Sequence, residues 1–110
     1  MAANMNQLAI RTLQKLQVIA ANESAAPEDL EKAVEKVRAA QYLLESEGLV
    51  RWTLNDVANY AEEPLVMIAA YLGASDFDQK ADPAWMAQAV TMVQRAVHLV
   101  RTYTVQTEYF

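Results

Sequence analysis

An uninterrupted apolar segment in the middle of the chain restricts the possible folds more than any other feature. Residues 65–72 read LVMIAAYL, and the Tyr71 hydroxyl is the one polar side-chain group among them. Pro64 and Gly73 flank the segment, which indicates a helix, because proline suits a first helical turn and glycine commonly ends one. A helix that is apolar all round needs cover on every side. Either the other helices of the chain surround it, or a second copy or a partner covers part of its surface.

The composition predicts one domain built from helices. A chain of 110 residues is too short to give two domains a core each. Hydrophobic residues make up 54% of it, which excludes intrinsic disorder for most of the chain. The 2 glycines and 3 prolines are too few for the many turns of a strand-rich fold. We therefore expect an all-α domain over residues 1–110 with about five helices.

Two long helices are expected in the N-terminal half. The first covers about residues 4–22, where Leu8, Thr12 and Leu16 share one stripe at helical spacing. A short linker precedes the second helix, which begins at Pro27 and ends before Gly48. Both helices carry an apolar stripe that can pack against the central apolar segment.

A helix-turn-helix-like pair is expected next. Thr53 is a predicted N-cap for a third helix over about residues 54–61. Pro64 is expected to break that helix, because the residue before a proline avoids helical geometry. The apolar segment then forms the fourth helix.

A long fifth helix is expected to begin at Asp82 and Pro83, a cap followed by a first-turn proline, and to run to about Tyr103. Residues 103–110 mix threonines with aromatic and β-branched residues, a pattern that disfavours a firm helix. We expect these last residues to form a flexible tail or one that docks on another surface.

Residues 53–61, TLNDVANYA, resemble the first helix of the DNA-binding unit of lactose-repressor-type regulators. The pattern of that family is roughly T-L-x-D-V-A-x-x-A-G-V-S-x-x-T-V-S-R-x-L. The fixed positions of its first half are occupied here by Thr53, Leu54, Asp56, Val57, Ala58 and Ala61. Ile68 and Leu72 match two apolar positions of the second half, so the resemblance covers residues 53–72. It implies two helices joined by a tight turn and, in that family, binding to DNA.

The chain departs from this pattern at the positions on which DNA contact depends. Glu62 replaces the turn glycine, and Pro64 replaces the serine cap. Met67, Ala69 and Ala70 occupy the positions that face DNA in the family. Reading base edges requires hydrogen-bonding side chains, which these residues lack. We therefore expect the helical scaffold without DNA recognition by the fourth helix.

No group of residues in the sequence predicts catalysis, a cofactor or a metal. The chain has 0 cysteines and a single histidine, His98, and no potential nucleophile or carboxylate stands at a telling spacing from it. Asp76 and Asp78 have the alternate spacing of calcium ligands, but the glycine and closing glutamate of a calcium loop are missing. The net charge of -5 argues against a nucleic-acid partner, because such binding rests on neutralising phosphates.

Protein-binding residues are expected where aromatic or apolar side chains are in positions that suit an interface. Phe77, between two aspartates, is a candidate anchor for a basic partner surface. Trp52 and Trp85 either cover the core or serve an interface, where tryptophan is favoured. The C-terminal tail docks either on its own core or on a second protomer. The predicted partner-binding residues are Trp52, Met67, Tyr71, Asp76, Phe77, Asp78, Trp85, Tyr103, Tyr109 and Phe110.

These observations predict a non-enzymatic, acidic helical protein that regulates or inhibits another protein by covering its functional face. Small antiactivators, inhibitors and adaptors from bacteria or phages have this profile, and a homodimer is expected. The alternative is a small helix-turn-helix transcription regulator that uses scattered basic residues such as Arg51 and Arg95. Neither a secretory signal nor a membrane span is expected, so a cytoplasmic location is the default.

Overall fold

The described part of the chain folds into the all-α class, with helices joined by loops and turns. The computed structural model describes the backbone of residues 3–20 and 23–108, and side chains within these ranges as far as residue 98. The helices are α1 (Met5–Lys15), α2 (Pro27–Ser46), α3 (Asn59–Gly73) and α4 (Ala84–Glu108), and a 3₁₀ turn (Ala74–Phe77) follows α3. The predicted fold class is confirmed for these residues, with four α-helices in place of about five.

The apolar segment forms most of α3, which lies at the centre of the molecule. α1, α2 and α4 all pack against it. Residues 65–70 are all buried, and Leu65 and Ile68 are 0% exposed. Burial of each large aliphatic side chain contributes roughly 1.5–3 kcal/mol. Of the two predicted ways of covering this segment, enclosure by the chain's own helices is therefore the one observed for residues 65–70.

α1 is shorter than the sequence pattern predicts, because the chain turns sharply after Lys15. Gln17 adopts a left-handed conformation with φ 61°. The Val18 N–H donates to the Leu13 carbonyl at 2.9 Å, and the Gln17 N–H donates to the Gln14 carbonyl at 3.0 Å. These two bonds are the Schellman arrangement that ends many helices. The expected helix is therefore wrong for residues 16–20, and residues 21–22 lie outside the described residues.

The third predicted helix is replaced by a turn and an extended segment. The Asp56 N–H donates to the Thr53 carbonyl at 3.1 Å, which closes the turn. Val57 is fully buried and forms an isolated antiparallel bridge with Ala3. This pairing holds the backbone extended where the capping pattern predicts a helix, and α3 begins only at Asn59.

The predicted break at Pro64 is also wrong, since Pro64 lies inside α3 and is fully buried. A proline there removes one helical hydrogen bond, to the Tyr60 carbonyl, and costs free energy that the surroundings must offset. Ion pairs fasten the same turn to α1. Arg11 contacts Glu62 at 3.0 Å and Glu63 at 2.8 Å, and Lys15 contacts Glu63 at 3.2 Å. One continuous helix, Asn59–Gly73, thus runs through the expected break.

α4 begins as the sequence predicts and continues further. The Asp82 side chain accepts a hydrogen bond from the Ala84 N–H at 2.9 Å. The backbone remains helical through Glu108, so the expected loss of helix after Thr102 is wrong as far as that residue. Extending a formed helix adds one hydrogen bond per residue, which outweighs a weak β-preference of threonine. Tyr109 and Phe110 lie outside the described residues.

Within the ranges that the structure describes, no helix has both the length and the hydropathy needed to cross a membrane.

Candidate protein-binding surfaces

A surface cleft lies between the C-terminal half of α2 and the loop that follows it. Its volume is about 480 Å³. We call it the aromatic cleft, and it is lined by Arg38, Gln41, Tyr42, Glu45, Trp52, Thr53 and Leu54. It forms because the turn at Thr53 holds the loop beside α2.

The floor of the aromatic cleft is fixed by a buried hydrogen bond. Trp52 is only 9% exposed, and its Nε1–H donates to Oε1 of Gln41 at 2.7 Å. The indole also meets the Tyr60 ring of α3 edge-on, with centroids 5.7 Å apart and an interplanar angle of 87°. Such edge-to-face pairs are favourable beyond the area they bury. Trp52 is therefore held in one orientation from two sides.

The rim of the cleft is exposed and carries both charge signs. Tyr42 is 71% exposed, and Arg38 and Glu45 lie one helical turn to either side of it on α2. Neither Arg38 nor Glu45 forms an ion pair with another described residue. Tryptophan, tyrosine and arginine are the residues most enriched at binding hot spots. Their grouping around one concave surface makes the cleft the best candidate site in the described structure.

The sequence pattern predicts one residue of this cleft, Trp52, as a lid of the core or an interface residue, and it does not indicate the others. Trp52 forms the floor of the cleft. The sequence does contain a signal for Tyr42, because it comes directly after Gln41, which lies on the core-facing side of α2, and therefore faces outward. The position of Tyr42 beside a loop 10 to 12 residues further along the chain depends on the tertiary fold.

Asp76, Phe77 and Asp78, which the sequence predicts to meet a basic partner and which we call the acidic edge, are partly neutralised within the chain. Asp76 forms an ion pair with Lys36 of α2 at 3.2 Å. Phe77 is half-buried against the core, which leaves little of its ring for a partner. Asp78 is exposed, with a left-handed backbone at φ 54°. Of the three, Asp78 remains the one whose side chain is fully open to a partner.

The structure places the other predicted interface residues at or below the surface of the core. Met67 is 6% exposed and is covered by this chain. Tyr71 and Trp85 are half-buried, and Nζ of Lys15 lies 5.4 Å from the centroid of the Trp85 ring. The side chain of Tyr103 lies outside the described residues.

The positions that face DNA in lactose-repressor-type regulators are inaccessible here. Ala69 and Ala70 are 0% exposed, like most of their neighbours in α3. In this conformation neither of these two side chains is accessible to a partner.

The described residues hold no arrangement typical of a metal centre. No group of three or more His, Cys, Asp or Glu among them is placed to bind a metal ion. Every buried side-chain nitrogen and oxygen in the described part has a hydrogen-bond partner. His98 is exposed on α4.

Comparison with known proteins adds no assignment: no family model, no curated protein and no solved structure matches this chain.

Proposed function

We propose that this chain is a non-enzymatic acidic protein that regulates or inhibits another protein, and that it binds through the aromatic cleft. The observation that carries the proposal is the 71% exposed Tyr42 beside a cleft whose floor is the immobilised Trp52. A rigid aromatic floor loses little conformational freedom on binding, which favours affinity. Partner surfaces commonly place an apolar anchor into such a pocket.

The chemistry of the cleft specifies the character of its partner. An apolar or aromatic side chain of the partner lies over Trp52, between Tyr42 and Leu54. A basic residue of the partner pairs with Glu45, and the net charge of -5 speeds the encounter with a basic surface. Regulation then follows from occlusion, because the bound chain covers the surface that the partner uses for its own activity.

The test compares matched variants as bait. Tyr42→Ala removes the exposed ring from the cleft, whereas Ile10→Ala removes an exposed apolar side chain from α1, where Ile10 is 37% exposed. The two variants and the wild type are each immobilised and exposed to host lysate. The captured proteins are then quantified by mass spectrometry. The candidate partner is then purified and its Kd measured by calorimetry. We expect Tyr42→Ala to weaken binding about tenfold or more, equivalent to at least about 1.4 kcal/mol, and Ile10→Ala to have little effect.

Equal affinity of the wild type and Tyr42→Ala would contradict the assignment of the cleft. Tight binding to duplex DNA, with an affinity that falls steeply as salt rises, would instead favour the transcription-regulator alternative.

A further inference from the structure

The outward face of α4 differs from the other solvent-facing helix surfaces of this chain. Its inner face buries Ala89, Val93 and Val97, and its main packing partner is α3. The exposed residues of its described part are Ala84, Ala87, Gln88, Thr91, Met92, Gln94, Arg95 and His98. We call these residues the α4 face. Met92 is 42% exposed and lies beside a shallow depression.

The α4 face contains no carboxylate. The chain has 14 Asp and Glu residues, and none of them falls within residues 84–107. The exposed residues of α2 show the usual pattern of a solvated helix, with Glu31, Lys32 and Glu35 in close succession. The α4 face is therefore the neutral-to-basic surface of an otherwise acidic molecule.

We propose that a second copy of this chain binds the α4 face, with the two α4 helices antiparallel about a two-fold axis between Thr91 and Met92. Two molecules that each carry a charge of -5 repel one another least when they meet through surfaces without carboxylates, because the negative charges are then far apart and screened. The α4 face meets this condition, and its apolar and small residues allow helices to approach to about 8–10 Å.

The spacing of the polar residues is self-complementary in this arrangement. An axis between positions 91 and 92 places Arg95 opposite Gln88 of the partner subunit. The guanidinium can donate to that amide oxygen, and the symmetry repeats the contact on the other side. The two Arg95 residues are then seven helical positions apart, about 10 Å along the axis, which is slightly more than a Debye length at physiological salt. The pairing therefore creates a polar contact without a like-charge clash.

The α4 face extends over residues 84–98, which correspond to about 22 Å of helix. A single helix pair lies at the low end of interface sizes, so we expect a weak dimer with a micromolar Kd.

The experiment measures the dimer Kd by sedimentation equilibrium up to high micromolar concentration. Gln88→Glu places a carboxylate opposite Arg95 of the partner subunit and is expected to tighten the dimer severalfold. Arg95→Glu removes the pairing and is expected to weaken it about tenfold. The double variant Gln88→Arg with Arg95→Glu restores the opposite charges and is expected to recover the affinity.

Gln79→Glu provides the charge-matched control, because Gln79 is exposed in the loop before α4 and outside the α4 face. It is expected to leave the dimer Kd unchanged. All the substituted positions are exposed, so circular dichroism and the unfolding midpoint should stay close to those of the wild type.

A wild type that stays monomeric throughout this range would overturn the proposal. A dimer whose affinity falls with Gln88→Glu would also overturn it, because the two substituted carboxylates face and repel each other only when the helices are parallel. A double variant that fails to recover the dimer affinity would overturn it as well. The aromatic cleft lies on α2 and its loop, so Tyr42→Ala leaves this dimer intact, and the two proposals fail separately.

Discussion

Gln17 shows how one residue can end a helix without any of the usual sequence signals. Its φ of 61° lies in a region that glycine occupies freely and other residues enter at a cost of about 1–2 kcal/mol. The surrounding contacts hold it there, because Leu16 and Ile19 are buried on either side of it. The apolar periodicity continues through this point, so the pattern predicts a longer helix than the one observed.

Replacing Gln17 by glycine is therefore expected to stabilise the protein. Gln17→Gly relieves the left-handed strain, and after the extra entropy of glycine in the unfolded chain the gain is up to about 1 kcal/mol. Urea denaturation measures the change in the free energy of unfolding. Gln14→Gly is the matched control within α1, where glycine is expected to cost about 1 kcal/mol. If both substitutions changed the free energy of unfolding in the same direction, the interpretation of Gln17 would be contradicted.

α3 shows how contacts with another helix can override a local break signal. Pro64 weakens the helical ladder, and Glu62 and Glu63 offer no apolar contact of their own. Each of the two carboxylates is paired with Arg11 of α1, and Lys15 is paired with Glu63 and lies over Trp85. The network joins α1, α3 and α4 and holds the first turns of α3 in place.

Removing one carboxylate tests the contribution of this network. Glu63→Gln breaks the contacts with Arg11 and Lys15, and because Glu63 is 45% exposed the expected loss is modest, up to about 1 kcal/mol. The loss should shrink in 1 M NaCl, where the Debye length is about 3 Å. Urea denaturation at both salt concentrations gives the comparison. Glu23→Gln, at an exposed position in the loop before α2, is expected to show no such salt-dependent loss.

The molecule as a whole is organised around α3, which three helices enclose. Ile68 is 0% exposed at its centre, whereas Ile10 is 37% exposed on α1. Chemically identical truncations at these two positions should therefore differ greatly in their effect. This contrast tests the enclosure of the apolar segment within a single chain.

Ile68→Ala is expected to lower the free energy of unfolding by about 2–5 kcal/mol, because it leaves a cavity among the helices. Ile10→Ala is expected to cost less than about 1 kcal/mol. Denaturant unfolding of both variants at low protein concentration provides the measurement. Similar values for the two positions would show that α3 is not enclosed by its own chain.

The candidate site was only partly predictable at this scale. The two tryptophans and the acidic edge could be identified from residue type, but Asp76 proved to be paired with Lys36 and Met67 to be buried. Tyr42 became a site residue only because the loop carrying Trp52 folds back beside α2. Residue type indicates which side chains suit an interface, and the tertiary contacts decide which of them remain exposed.

The sequence by itself determined the helical class, the start of α2 at Pro27, the start of α4 after Asp82 and the need of the apolar segment for cover, whereas the tertiary structure decided that the chain's own helices cover residues 65–70. The features that the sequence determined follow from caps, proline positions and apolar periodicity, which act over one or two helical turns. Only the tertiary structure decided that α1 ends at Lys15, that Val57 pairs with Ala3 and that α3 runs through Pro64. Each of these outcomes costs local free energy or opposes the local conformational preference of the residues involved. Contacts with residues distant in the sequence offset that cost.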